Sequence, residues 1–520
     1  MQDFAYICCS VNVQLMQQND KRIAKNTLML YFRMLFMMFL GLFTSRIVLD
    51  ALGENDYGVY NVIGGVVSMF SIISGALNAA VSRFITFEMG KGSEAHLNKV
   101  YSTAVTIQLI LALIVVLLAE PAGIWFIDNK MTIDPARIPA ARWVLQFSLL
   151  AFVVNLMSVP QMASITAHEN MSAYAGIGIL DGLLRFGVAL LIKYSATDRL
   201  ILYSVLMAVA VLIVRLAYGI YCRRHFEECR YRPVFDGRLI REMFSFAGWN
   251  FIGVTAGVLR DHGGNILVNL FAGTAVNAAR GMALQLSNAV QGFVTNFMTA
   301  VNPQITKSYA AGDREYMLSL VRKASRMSYY LLFIIVLPVL FNTEYLMDLW
   351  LKDVPGQSVS FARLFLVLSL SESISNPLMT SALATGSIRR YQSVVGGLIM
   401  LNLPVSYVFL KAGAPPEVTV AVAIGISQIC FFARLAILRG LLGLSPRQFI
   451  ARVYCNVLCV TAAALVLPFL MCRFMPEGFG GFCLSLAVCV VSASLSVLFI
   501  GCSRDERRDM ITMLLKPFRR

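Results

Sequence analysis

"NFIGVTAGVLRDHGGNILVNLFAG", residues 250–273, is long and apolar enough to cross a bilayer, yet it carries Arg260, Asp261 and His262 near its middle. A charged side chain at the centre of a membrane costs roughly 2.5–3.5 kcal/mol on insertion scales. Consecutive residues of a helix do not share a face, so we expect the partners of these three to come from another helix, from water or from a substrate. The stretch therefore predicts a membrane helix that borders a water-filled cavity.

The composition of the whole chain indicates a polytopic membrane protein. Of its 520 residues, 58% are hydrophobic and 14% are charged, whereas soluble proteins carry about 25% charged residues. The net charge of +15 falls in short loops between apolar segments, which is typical of membrane topology and not of a nucleic-acid-binding face. The eleven cysteines are scattered and follow neither metal-ligand spacing nor a disulfide framework.

Apolar segments of about 20 residues predict fourteen transmembrane helices and an all-α fold. Lys and Arg number 28 on one predicted side of the membrane and 8 on the other, so the positive-inside rule places both termini in the cytoplasm. The predicted spans lie at approximately 27–49, 59–82, 99–120, 142–163, 173–192, 200–222, 246–271, 277–302, 326–348, 361–386, 393–411, 418–440, 453–474 and 482–501.

A weak internal repeat relates the two halves of the chain. A shift of 220 residues aligns ALGENDYGVYN (51–61) with FAGTAVNAARG (271–281), and AVSRFITFEMGKG (80–92) with AVNPQITKSYAAG (300–312). A repeated unit of six helices keeps its orientation, so we expect two six-helix bundles related by a pseudo-two-fold axis along the membrane normal, followed by two C-terminal helices. The glycine pairs that coincide are Gly53 with Gly273 and Gly92 with Gly312.

These patterns divide the chain into predicted parts. A basic loop joins the two bundles, and a basic tail follows the last helix. The parts are a cytoplasmic N-terminal segment (1–26), an N-lobe (27–222), a cytoplasmic linker (223–245), a C-lobe (246–440), the last two helices (441–501) and a cytoplasmic tail (502–520).

The motifs LGENDYGVYNVIGG (52–65) and NAAVSRFITFEMGKG (78–92) resemble the polysaccharide-transporter branch of the multidrug/oligosaccharidyl-lipid/polysaccharide flippase superfamily, in particular the O-antigen (Wzx) type flippases. The resemblance covers about 27–500. It implies two bundles arranged as a V around a central cavity. It also implies alternating access that moves a polyprenyl-pyrophosphate-linked oligosaccharide from the inner to the outer leaflet, for O-antigen, capsule or exopolysaccharide synthesis. The first span lacks the neighbouring Arg-Asp pair of lipid II flippases, which disfavours a peptidoglycan precursor as substrate.

Arginine is the residue expected to carry this function. The eight basic residues outside the two loop counts all lie within predicted spans and are all Arg, and the acids well inside the spans are only Asp181, Asp261 and Glu372. The planar guanidinium binds phosphate oxygens in pairs and stays charged, while asparagine amides offer hydrogen bonds to sugars. The resemblance itself implies cavity arginines in the first helix of each half. The predicted substrate-binding residues are Arg33, Arg46, Arg260, Arg280, Arg185, Asn250, Asn265 and Asn288.

Titratable side chains in the spans are the candidates for ion coupling, namely Asp261, His262, Glu372 and Asp181. Each group also has a structural alternative. Asp181 and Arg185 stand four residues apart, the spacing of an ion pair within one helix. Small and polar residues commonly hold packed membrane helices together, and His262 could be such a packing residue.

The expected protein is a monomeric, multi-pass protein of the bacterial cytoplasmic (inner) membrane that uses no cofactor or metal and draws on a proton or sodium gradient. Its expected partners are the lipid-linked glycan, the phospholipid bilayer, a glycan polymerase and glycosyltransferases, with no nucleic acid. A multidrug or cation antiporter of the same superfamily is one alternative, disfavoured by the scarcity of acids in the spans. A membrane polysaccharide polymerase or ligase is another, disfavoured by short outer loops and by the lack of hydrolase, zinc-protease or phosphate-loop motifs. We therefore do not expect an enzyme.

Overall fold

Helices account for all the regular structure in the residues that the computed structural model describes, which are 2–68, 70–129, 131, 133–234, 236–350, 356–471, 478–504 and 506–508. The predicted all-α class is therefore confirmed. The chain forms two compact units. The first comprises residues up to Phe251 together with Thr299–Ala311, and the second comprises Ile252–Met298 together with the residues from Gly312 onward.

The first unit contains six helices and both ends of a seventh. Its core includes Val48 and Ala51 of the first helix, which pack with Val188, Ala189 and Ile192 of the fifth. The helices are α1 (Gln2–Ser68), α2 (Ser71–Lys91), α3 (Glu94–Asn129), α4 (Ile138–Ala167), α5 (Met171–Lys193), α6 (Arg199–His225) and α7 (Gly237–Ala310), with 3₁₀ turns at Pro135–Arg137 and Glu227–Cys229.

The second unit holds the middle of α7 and ten further helices. Its core joins Ala279 and Ala283 of α7 to Phe361 and Phe365 of the tenth helix and to Val420 of the fourteenth. The helices are α8 (Arg314–Phe341), α9 (Thr343–Trp350), α10 (Ser358–Ser373), α11 (Asn376–Ala384), α12 (Arg389–Met400), α13 (Asn402–Lys411), α14 (Val418–Leu442), α15 (Pro446–Phe449), α16 (Cys455–Met471) and α17 (Phe479–Ser496), with π turns at Ile450–Tyr454 and Val497–Gly501.

Eleven helices in the described part of the chain are long and apolar enough to cross a membrane, against the fourteen predicted, so the count of fourteen is not confirmed. The three predicted spans outside this set are 59–82, 246–271 and 277–302, which lie within α1, α2 and α7. Segment 59–82 is divided between α1 and α2, and the two segments in α7 carry polar and charged residues among their apolar ones. The remaining helices expose large apolar side chains such as Leu113 and Leu117, as a lipid-facing surface requires.

Glycine bends occur at equivalent positions of the two halves. Gly53 bends α1 with φ 75° and ψ 168°, and Gly273 bends α7 with φ 84° and ψ −179°. This backbone region is essentially restricted to glycine. Gly92 and Gly312, the second aligned pair, also have positive φ, at 75° and 81°. Gly53 and Gly273 therefore share one backbone geometry, and Gly92 and Gly312 share a positive φ.

A buried carboxylate fastens α1 to other parts of the first unit. Glu169, between α4 and α5, receives ion pairs from Arg22 (3.2 Å) and Lys307 (2.8 Å) and a hydrogen bond from Gln304 (2.6 Å). Its backbone carbonyl accepts a hydrogen bond from Asn26. Glu169 is 4% exposed and has a φ of 59°, so its partners hold it in an unusual backbone conformation.

Candidate functional site

A cluster of charged and polar side chains lies inside the second unit, where α7 meets α10 and α14. Arg260 and Asp261 precede the bend at Gly273, and Arg280 follows it. Because the chain continues as a helix on both sides of the bend, α7 supplies two stretches of polar side chains to this unit. Glu372 enters the cluster from α10.

Arg260 is held by two carboxylates. Its Nε atom donates to Oδ1 of Asp261 at 2.9 Å, and its Nη1 atom donates to Oε1 of Glu372. The Arg260 side chain is only 19% exposed. The partner from another helix agrees with the sequence expectation, but the expectation that neighbouring residues do not pair is wrong here. The arginine side chain is long enough to fold around the helix surface and reach Asp261.

Arg280 is more deeply buried, at 3% exposure. Its Nη1 atom donates to the backbone carbonyl of Asp261 at 3.2 Å and to the side-chain oxygen of Asn265. The guanidinium carbon lies 5.3 Å from the centre of the Phe365 ring, within the range of a cation–π contact. The formal charges of the two arginines are thus balanced by Asp261 and Glu372 in the same cluster.

Uncharged polar groups extend the cluster between α7, α10 and α14. Ser369 shares a hydrogen bond with Ser287 (2.8 Å) and accepts one from Gln291 (3.0 Å). Ser371 accepts a hydrogen bond from Gln428 at 2.6 Å. The sequence analysis did not identify Ser369, Ser371 or Gln428. The run SLSESIS (369–375), which is polar within an otherwise apolar span, is the signal that could have indicated them.

Of the other predicted residues in the second unit, one joins the cluster and two are exposed. Asn265 bonds to Arg280 and so belongs to the cluster. His262 and Asn288 are exposed. Among the described residues, no three His, Cys, Asp or Glu side chains are grouped so that they could hold a metal ion.

The first unit contains the rest of the predicted set. The Arg33 guanidinium lies 4.4 Å from the centre of the Tyr174 ring, while Arg46 is exposed. Arg185 and Asp181 form the ion pair that their spacing allows, at 2.9 Å. Asn250 is buried and donates to the carbonyl of Ala76 at 3.5 Å. The predicted residues therefore fall into two groups, one in each unit.

Comparisons with known proteins place this arrangement in context. Residues 23–309 match the sequence family described as "Polysaccharide biosynthesis protein". The chain is 19% identical over 301 residues to the uncharacterized membrane protein EpsK of Bacillus subtilis (strain 168), an alignment that covers 56% of this chain and 58% of EpsK. The chain thus spans little more than half the length of that relative.

Solved structures of transporters share the fold. A MATE protein in complex with MaD3S superposes with a TM-score of 0.70 at 11% identity, over 81% of this chain and 97% of the other. A transporter of the MOP superfamily from Pyrococcus furiosus, whose binding pocket is described as having reverse polarity, gives a TM-score of 0.68 at 11% identity, over 81% and 96%. Identities this low show a common fold and no more.

Proposed function

The chain belongs to the polysaccharide biosynthesis protein family, and from that premise we propose that it is a flippase for a lipid-linked anionic glycan. It is a multi-pass membrane protein with the fold of MOP-superfamily transporters. Its proposed substrate is a polyprenyl-pyrophosphate-linked oligosaccharide, moved by alternating access from the inner to the outer leaflet of the bacterial cytoplasmic membrane. The observation that carries the proposal is the pair of arginines in a membrane-embedded unit, Arg280 buried and Arg260 with only 19% of its side chain exposed.

Arginine suits a diphosphate because its planar fork makes paired, charge-assisted hydrogen bonds to phosphate oxygens. Arg260 already presents two of its donors to carboxylate oxygens of Asp261 and Glu372. A phosphate presents the same kind of acceptor, so it can replace one of these carboxylates at little geometric cost. We propose that the substrate takes this place, with Asn265 next to it offering hydrogen bonds to the glycan.

This exchange also provides a route to ion coupling. When phosphate displaces Glu372 from Arg260, the carboxylate loses its cationic partner. A carboxylate in a low-dielectric setting without such a partner favours binding a proton or a cation. Substrate release would then return Arg260 to Glu372 and expel the ion. Asp261 has the same opportunity, because it also contacts Arg260.

In this proposal, the predicted residues of the first unit bind the substrate at another stage of its transport. Arg33 and Arg46 lie on α1, and Arg185 lies on α5 with Asp181 as its partner. Arg46 is exposed and therefore accessible to an anionic headgroup. Glycosyltransferases that build the glycan and a polymerase that extends it would act before and after this step.

Surface polysaccharide in cells that depend on this chain tests the proposal. Arg260→Ala and Arg33→Ala are expected to abolish the polysaccharide while the protein remains in the membrane, and Arg260→Lys to restore it only in part. Arg363→Ala serves as the control, because Arg363 forms a solvent-exposed pair with Glu344 and such pairs contribute little. Normal polysaccharide in both Ala variants would refute the assigned role of the arginines.

A multidrug or cation antiporter is the second candidate. The fold shared with MATE transporters and the two acids of the cluster, Asp261 and Glu372, favour it. A cation substrate would need the acids and not the arginine. Glu372→Gln would then abolish drug resistance conferred by the chain, and Arg260→Ala would leave drug resistance in place.

A further inference from the structure

A basic pocket of about 440 Å³ lies in the second unit, at the point where the helices α16 and α17 meet the beginning of α8. Its walls carry four basic side chains, Arg322, Lys323, Arg326 and Arg452, and one acid, Glu506. The pocket thus has an excess of three formal positive charges. It shares no residue with the polar cluster around Arg260.

One arginine of the pocket, Arg326, bonds to other groups of the pocket wall. Arg326 donates to Oε1 of Glu506 at 2.8 Å and to the backbone carbonyl of Gly501 at 3.1 Å. Because Glu506 is engaged by Arg326, the acid neutralises that arginine and not Arg322 or Arg452. Two guanidinium groups therefore remain in the pocket wall beyond the Arg326–Glu506 pair.

The rear of the pocket is built from two π turns, Ile450–Tyr454 and Val497–Gly501. Single π turns within helices are frequent at functional sites. Asn456 of α16 connects the second turn to α8, since it donates to the carbonyl of Ile500 at 3.1 Å and accepts a hydrogen bond from Tyr330. Gly501 packs so closely that an added Cβ would lie 2.9 Å from the Tyr330 ring. These contacts pack the second π turn against α8 and α16.

The surface next to the pocket is apolar and outward-facing. Ile500, which lines the pocket, is 42% exposed, and its neighbour Phe499 is 63% exposed. Leu458 on α16 is 53% exposed. Such residues at the end of a membrane-spanning helix contact lipid chains. A ligand that joins an anionic head to a hydrocarbon chain would satisfy both surfaces at once.

We propose that this pocket binds the phosphate group of an anionic membrane lipid, whose hydrocarbon chains lie along the apolar surface of Leu458, Phe499 and Ile500. Basic pockets between membrane helices, close to the polar ends of the helices, bind anionic headgroups in this way. Arg322 and Arg452 supply the contacts to phosphate. The site is distinct from the proposed transport site and would tie the last two helices to α8 when occupied.

Binding of phosphatidylglycerol to the purified protein, followed by native mass spectrometry against phosphatidylcholine, tests this inference. The wild-type protein is expected to prefer phosphatidylglycerol. The double variant Arg322→Gln/Arg452→Gln should bind it about 25-fold more weakly, or roughly fivefold for each arginine near the membrane surface. Arg447→Gln is the matched control, because Arg447 is an exposed residue of α15 that does not line the pocket.

Glu506→Gln supplies a result that misfolding cannot imitate: it removes the only acid lining the described pocket, while the amide oxygen can still accept from Arg326, so binding should tighten. Inorganic phosphate is the second probe. If phosphate binding depends on Arg322 and Arg452 while phosphatidylglycerol does not bind, the site takes a free anion, and the proposal of a lipid ligand is wrong. Equal binding of phosphatidylglycerol by the wild-type protein and the double variant overturns the inference altogether.

Discussion

Arg260 forms its two ion pairs in a setting where an unpaired charge is costly. Loss of one member of a buried ion pair destabilises a protein by about 3–5 kcal/mol, chiefly because the other charge is left behind. Asp261 and Glu372 remain 34% and 30% exposed, so the penalty at this site should be smaller.

We expect Arg260→Met to lower the free energy of unfolding in mixed micelles by about 2 kcal/mol, below the range for fully buried pairs because solvent reaches Glu372. Arg260→Met/Glu372→Gln should recover about half of this loss, since it removes one of the two stranded charges and leaves Asp261. Chemical unfolding of the three proteins measures the difference. Equal stabilities of the single and double variants would show that Glu372 does not depend on Arg260.

The pair Asp181–Arg185 permits a test of role. Exchange of the two residues, as Asp181→Arg/Arg185→Asp, keeps the ion pair at the same spacing but moves the positive charge by one helical turn. If Arg185 binds substrate, as proposed, the exchanged variant should fold normally and lose most glycan export. Full export by this variant would reduce the pair to a structural role.

At the level of single residues, the sequence predicted which charged side chains lie within apolar spans but did not predict which residues they contact. Arg260 and Glu372 were both identified, because charges in apolar spans are rare. Their ion pair joins residues 112 positions apart, and no pattern within either helix encodes it. Ser369 and Gln428 were missed because serine and glutamine in a span most often only hold helices together.

Among the elements, α1 and α7 depend on glycine at one position each. Gly53→Ala and Gly273→Ala force a side chain into a backbone conformation that costs about 1–3 kcal/mol. Each variant should therefore lower the unfolding midpoint in detergent. Gly58→Ala and Gly281→Ala are the matched controls, because both glycines have ordinary helical conformation with open space around the Cβ position. If the control variants lose as much stability as the bend variants, the backbone conformation at the bends does not explain the need for glycine.

The N-terminus of α7 is capped by the carboxylate of Asp236. Asp236 accepts a 2.6 Å contact from Lys99 and hydrogen bonds from the backbone amides of Leu239 and Arg238, and these lower the pKa of its carboxyl group from 3.8 to about 2. A carboxyl whose pKa is depressed on folding stabilises the protein above its unfolded pKa and loses that contribution as the pH falls through the folded pKa.

Asp236→Asn keeps an oxygen for the cap and removes the charge. The variant should be less stable than the wild-type protein at neutral pH, and the difference should shrink between about pH 4 and pH 2, where Asp236 becomes protonated. Unfolding midpoints across this range measure the effect. If the difference in unfolding midpoint stays constant with pH, the charge of Asp236 does not contribute to stability.

The sequence predicted the helices well and their junctions less well. The apolar spans from 326–348 onward each correspond to a helical region, because hydrophobic length is encoded locally. The spans 246–271 and 277–302 lie on either side of Gly273 in α7, and the non-helical φ and ψ of this glycine separate two helical stretches with no loop between them. A glycine between two apolar runs looks the same in sequence whether it begins a loop or bends a helix.

For the whole molecule, the repeat predicted from a handful of coincident residues agrees with the paired positive φ angles of Gly53 and Gly273 and of Gly92 and Gly312. The charge bias gives a separate prediction of orientation. Alkaline phosphatase fused after Asp134 or Ala196 should be active and fused after Asp236 should be inactive, with both termini in the cytoplasm. Activity in the reverse pattern would invert the topology.

Translocation in reconstituted vesicles tests the central claim most directly. Vesicles carrying the chain receive a labelled polyprenyl-pyrophosphate oligosaccharide in one leaflet, and a glycosidase that cannot enter reports its arrival in the other. The wild-type protein is predicted to expose the glycan well above the level of protein-free vesicles, Arg260→Ala to stay near that level, and Arg363→Ala to match the wild-type protein. Exposure by the wild-type protein no greater than in protein-free vesicles, or equal exposure by Arg260→Ala, would contradict the account.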